Sequence, residues 1–269
     1  MNRLEKKLKE LKIQGRKALS VFLTAGYPDA RLTEMLVPEL EKCGVDFFEI
    51  GLPFSDPIAD GPTIQHSSEI ALKRGMNWNK LLHLAKAIGK RSQAPLVLMS
   101  YANPLFCHGW ETAARKLKEA GFDGVIIPDL VPEENRTVRS IFRKQGLSLI
   151  YLCAPTSSPE RIRKIGRESS GFIYCVTVTG VTGARKNLPS GEIRGFLKRV
   201  KARSRLPVLL GFGISKARQI KEFRNDTDGF IIGSALIKTI AGGKNRASLI
   251  RRAKNFIIPF ARENRPRGR

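Results

Sequence analysis

The chain is short of the residues that metal and disulfide chemistry use: three histidines and four cysteines in 269 residues. His66, His83 and His108 form no recognisable ligand set. Cys43, Cys107, Cys153 and Cys175 are far apart, and no two stand at metal-ligand spacing. Cys153 and Cys175 lie in apolar runs and read as small buried hydrophobes. No metal is expected, and a reducing cytoplasm fits this cysteine usage best. No apolar run is long enough to span a membrane. The N-terminus has no apolar signal core, and Glu5 and Glu10 count against an organelle transit peptide.

Acidic residues are also scarce: 24 against 48 Lys and Arg, a net charge of +24. Such an excess attracts anions, from phosphorylated metabolites to nucleic acid, or serves as a soluble surface. The basic residues are spread along the chain and rarely alternate with exposed-looking aromatics, which argues against a nucleic-acid patch.

What is present is a globular chain, 42% hydrophobic. Leu4, Leu8 and Leu11 have helical spacing at the start. Eight strand candidates follow: 18–23, 45–50, 95–100, 124–127, 148–152, 172–176, 207–211 and 229–233. Amphipathic segments separate them, among them Trp110 to Ala120, Pro132 to Gln145 and Ser215 to Phe223. Near-continuous apolar strands alternating with helices imply a parallel sheet covered by helices. Eight such units fit a closed (β/α)₈ (TIM) barrel, with an open doubly wound sheet as the competitor. No linker interrupts the pattern, so residues 1–269 read as one barrel domain with a short N-terminal helix and a basic C-terminal tail, frayed from Arg262 onward.

In a barrel the active site lies at the C-terminal strand ends, so polar residues and glycines just after a strand are suspects. Phe47-Phe48-Glu49-Ile50-Gly51 puts a carboxylate in an apolar strand, where an unpaired charge is costly. By alternation Phe48 and Ile50 face the outer helices and Glu49 faces the lumen, where its pKa should rise. A structural Glu paired with a core cation is the alternative. Asp56 and Asp60 follow in a Pro- and Gly-rich loop; Asp56 also suits a turn, and Asp60 could cap a helix starting near Thr63. Spacing alone does not choose between them. Gly211-Phe212-Gly213-Ile214-Ser215 and Gly233-Ser234-Ala235 resemble the phosphate site many barrels build after strands seven and eight. Thr177 to Lys186, with glycines among small polar residues, suggests a loop that closes over a ligand.

Taken in order, Phe54-Ser55-Asp56-Pro57-Ile58-Ala59-Asp60-Gly61-Pro62-Thr63-Ile64-Gln65, Tyr101-Ala102-Asn103-Pro104, Pro128-Asp129-Leu130, Gly180-Val181-Thr182-Gly183 and Gly211-Phe212-Gly213-Ile214-Ser215 resemble the tryptophan synthase alpha subunit family. The resemblance runs from Phe22 to Ser234. It implies a carbon–carbon lyase of tryptophan biosynthesis that cleaves indole-3-glycerol phosphate to indole and glyceraldehyde 3-phosphate. It assigns catalysis to Glu49 and Asp60. It places the indole against Phe22, Tyr101, Ile127 and Phe212, Tyr174 close to Glu49, Thr182 on the closing loop, and phosphate at Gly183, Gly213, Gly233 and Ser234. It further implies no cofactor in this chain, a pyridoxal-phosphate beta subunit as partner, and an alpha2beta2 heterotetramer in the cytoplasm. The chain departs from the family's usual pattern in its basic balance and in Tyr27, where an Asp commonly follows Thr-Ala-Gly.

Overall fold

The computed structural model describes residues 1–133, 136–176, 189–211, 213–243 and 245–264. Nine parallel strands make one sheet: β1 (Ala18–Thr24), β2 (Phe47–Gly51), β3 (Leu96–Met99), β4 (Phe122–Ile126), β5 (Ser148–Ile150), β6 (Leu152–Cys153), β7 (Ile173–Val176), β8 (Val208–Gly211) and β9 (Gly229–Ile232). Their order is β5-β4-β3-β2-β1-β9-β8-β7-β6. β5 and β6 are the two halves of the single run expected at 148–152, parted at Tyr151. The first half pairs with β4 and the second with β7, so one bent strand closes the ring into a (β/α)₈ barrel. The bend arises because one strand must serve neighbours on both sides; the Tyr151 carbonyl accepts from the Tyr174 amide at 3.2 Å.

Side-chain alternation divides the interior into two apolar clusters. Phe48 and Ile50 join the large cluster between sheet and helices. Phe47, Val97, Ile126, Ile150, Phe172, Tyr174, Leu209 and Ile231 fill the lumen. The first helix, Arg3–Ile13, plugs the lumen's N-terminal end with Leu4, Leu8 and Leu11. Asn2 caps this helix with a reciprocal Glu5 bond, and Arg3 forks onto Asp123 at 2.9 and 3.1 Å.

Helices expected at 110–120, 132–145 and 215–223 occur as Trp110–Glu119, Arg136–Lys144 and Ala217–Phe223. The frayed end expected from Arg262 is corrected in part. The terminal helix, Arg246–Asn264, continues through it because Asn264 is buried and its side-chain amide donates to the Lys17 carbonyl. The rest of that tail, 265–269, lies outside the described residues. Among the described residues, no helix is long and apolar enough to cross a membrane.

Candidate active site

β2 carries Glu49 where the alternation requires, in register beside Phe22 of β1 and Val97 of β3. The carboxyl is wholly buried. Its Oε1 lies 3.5 Å from the Ser20 hydroxyl, and its Oε2 has no hydrogen-bond partner. Burial pushes its pKa up to about 8, against a smaller lowering by Ser20. Among the described residues no cation offsets the burial, and the core ion pair considered from sequence is not formed among them.

The loop after β2 separates the two aspartates. Asp56 is exposed and bonded to the Ser55 hydroxyl. Asp60 is not a helix cap: the cap of helix Pro62–Lys73 is Gly61, with Pro62 at its first position. That leaves the Asp60 carboxylate free to line a cavity with Phe22, Ile64, Met99, Tyr174, Gly213, Ile214, Gly233 and Ser234. The enclosed space is narrow, about 40 Å³. Burial raises the Asp60 pKa to about 6, with a hydrogen bond from Tyr101 working against the rise. The Tyr101 hydroxyl also accepts from the Ala59 amide at 2.9 Å, which pins the loop.

Tyr174 joins the two carboxyls. It is buried on the cavity wall, and its phenol pKa is driven up by burial and then by the charges of Glu49 and Asp60. Its ring lies across Gly211, where a Cβ would come within 2.3 Å of it. Gly213 takes φ +85, a conformation glycine adopts without strain. Gly233 caps helix Ser234–Ile240, whose Ser234 and Ala235 amides precede the first intrahelical bond, from Leu236 to the Gly233 carbonyl at 2.9 Å.

Of the residues singled out in the sequence, Asp60, Phe22, Tyr174, Gly213, Gly233 and Ser234 meet in this cavity. Glu49 lies beneath it, beside Phe22. Tyr101 touches the Asp60 loop through the Ala59 amide, and Ile127 is buried in the same large apolar cluster as Phe22, Ile64 and Ile214 of the cavity wall. Thr182, Gly183, Phe212 and the segment read as a closing loop lie outside the described residues. Ile64, Met99 and Ile214 were not singled out. The strand-end rule selects polar residues and glycines, so it passes over these three apolar side chains, Met99 at the end of β3 among them. A second hollow, about 580 Å³, opens at the barrel's other end among Lys118, Arg139, Arg143 and Arg167. It holds no buried acid–base pair and sits at the face barrels use for stability.

Comparison with known proteins agrees with this geometry. A family model described as "Tryptophan synthase alpha chain" matches residues 8–262. A tryptophan synthase alpha chain from a Thermoanaerobacter species is 43% identical over 257 residues, 96% of this chain and 97% of that one. Among solved structures, the tryptophan synthase alpha subunit from Legionella pneumophila superposes with a TM-score of 0.89 at 35% identity, covering 98% of each chain. A chain of Mycobacterium tuberculosis tryptophan synthase gives 0.90 at 33% identity, covering 99% of each. A barrel with a buried glutamate under a cavity walled by an aspartate and two glycine turns, matched over almost its whole length, belongs to the tryptophan synthase alpha chain family.

Proposed function

We propose that the chain cleaves indole-3-glycerol phosphate to indole and glyceraldehyde 3-phosphate, with Glu49 and Asp60 as catalytic residues. The observation that carries this reading is a wholly buried Glu49 beside Phe22, which walls the same cavity as Asp60, with burial raising both carboxyls and Glu49 the further. Near pH 7 a group with a pKa of about 8 is mostly protonated, and one with a pKa of about 6 is mostly ionised. Glu49 therefore starts as an acid and Asp60 as a base or hydrogen-bond acceptor.

The retro-aldol step needs both. Glu49 gives its proton to the indole ring carbon that bears the side chain, and the ring becomes an electron sink. The Asp60 carboxylate accepts the indole N–H and stabilises the positive charge that develops there. Glu49, now ionised, takes the side-chain hydroxyl proton as the carbon–carbon bond breaks. Indole and an aldehyde leave, and Glu49 is again protonated. Phe22 and Tyr174 supply apolar walls for the ring, and Tyr101 holds the Asp60 loop. Amides near Gly213, Gly233 and Ser234 receive the phosphate. Every proton transfer is made by side chains of this chain.

A pyridoxal-phosphate beta subunit receives the indole, in an assembly of two alpha and two beta chains. The Asp56 loop supports a partner there: Ile58 is a large apolar side chain, 72% exposed. Purified chain is assayed for aldehyde release from indole-3-glycerol phosphate, with and without a beta subunit. Release in either condition is expected, and its absence in both would reject the lyase.

A further inference from the structure

We propose that Ser20 is a positioning residue for Glu49, its hydroxyl holding Oε1 so that Oε2 stays unbound and available to the substrate. The inference rests on the lyase reading for its catalytic meaning, and on the lumen's geometry for its existence. Ser20 is wholly buried on β1. Its register partners are Phe47 on β2 and Ile231 on β9, both in the apolar lumen cluster. Serine adds little packing at such a place, and a buried hydroxyl without a partner is costly. Among the described residues its hydroxyl makes one hydrogen bond, to Glu49 Oε1, and Glu49 makes no other. The bond is long at 3.5 Å, so it steers the carboxyl without holding it ionised.

The asymmetry matters for the reaction. A carboxyl that must give one proton and take another needs one oxygen uncommitted and a fixed rotamer. A free rotor in the lumen would divide its time between orientations. One hydroxyl on one oxygen removes that freedom and leaves the other oxygen open. The remaining groups facing Glu49 do not replace Ser20. From β3 comes apolar Val97, and from β1 the Phe22 ring. Tyr174 of β7 feels the Glu49 charge, and nothing among the described residues puts a hydrogen bond on Oε2. No ion pair reaches it.

The test compares wild type with Ser20→Ala and Ser20→Thr in two arms. In the first, chain carrying ¹³C-labelled glutamate carboxyls is titrated by NMR, which reads Glu49 whether or not the chain turns over. Removing a donor that favours the ionised form should raise the Glu49 midpoint by about half a unit in Ser20→Ala, and Ser20→Thr should restore it. In the second, kcat for indole-3-glycerol phosphate should fall roughly tenfold in Ser20→Ala at unchanged KM, since Ser20 does not touch substrate. The alkaline limb of the pH profile should move up with the NMR midpoint. A Glu49 midpoint in Ser20→Ala equal to wild type, or a normalised pH profile that overlays wild type, would overturn the proposal. An inactive wild type with a shifted midpoint would instead overturn the lyase reading and leave the Ser20–Glu49 contact standing.

Discussion

A single buried carboxyl gives this protein a pH dependence of stability as well as of rate. Glu49 has a raised folded-state pKa, so the folded chain holds a proton that the unfolded chain has released between about pH 4.5 and about pH 8. Over that window stability falls as pH rises. Glu49→Gln removes the loss: chemical denaturation should find the variant more stable than wild type at pH 8, by on the order of a few kcal/mol, and nearly equal at pH 4.5. A variant equally stable at both would mean that the carboxyl is solvated or paired. Its activity should drop the other way, by about 10²–10⁴ in kcat, and Asp60→Asn should lose a similar factor. Single-turnover assays would read both, and near-normal rates in either variant would remove that residue's role. At this scale the sequence was legible where chemistry and packing conflict. A Glu among Phe and Ile is anomalous on its own, and alternation sends it inward. The choice between Asp56 and Asp60 was not legible, because turn chemistry suits both. It depends on which one the loop turns toward Tyr101 and the cavity, a tertiary fact. Ile127 shows the limit in the other direction: only the family resemblance singled it out, because nothing in the residues around it marks an apolar side chain there as a pocket wall.

Among the elements, the N-terminal ends of the strands share one device. Asp46, just before β2, accepts from the Leu19 amide of β1 at 2.9 Å. Asp123 in β4 accepts from the Leu96 amide of β3 at 3.2 Å, and Asp228 before β9 accepts from the Val208 amide of β8 at 2.9 Å. Each ties a strand start to its neighbour, which is the structural work expected of polar residues on that face. The first helix completes it by placing Leu4, Leu8 and Leu11 into the open lumen. Leu8→Ala should cost about 2–5 kcal/mol in urea unfolding while leaving KM for substrate unchanged, because the plug lies at the end opposite the cavity. Loss below 1 kcal/mol would mean that the helix docks without sealing the barrel. The helical spacing of these leucines was plain in the sequence; their destination was not, since periodicity gives a face and no partner. The split of β5 from β6 was equally hidden. It arises from closing the ring, and no local preference at Tyr151 announces it.

For the whole molecule, the charge of +24 governs the long-range electrostatics. Several of its ion pairs are exposed on both sides and individually weak, whereas the excess cations repel one another throughout. Salt should therefore raise Tm between about 10 and about 200 mM KCl; a falling Tm would mean that local pairs outweigh the global repulsion. Fold and family were both readable in advance, because alternating apolar strands and amphipathic helices admit few architectures and the ordered motifs span most of the chain. The purpose of the charge was not readable, since a solvated surface and a binding surface have the same composition.

The opposed protonation of Glu49 and Asp60 is tested most directly by the pH dependence of kcat/KM for indole-3-glycerol phosphate cleavage. The substrate's phosphate itself titrates near 6, so the alkaline side is diagnostic. The rate should decline with a midpoint near the Glu49 value of about 8. A rate that holds level or rises through pH 9.5 would contradict a proton-donating Glu49.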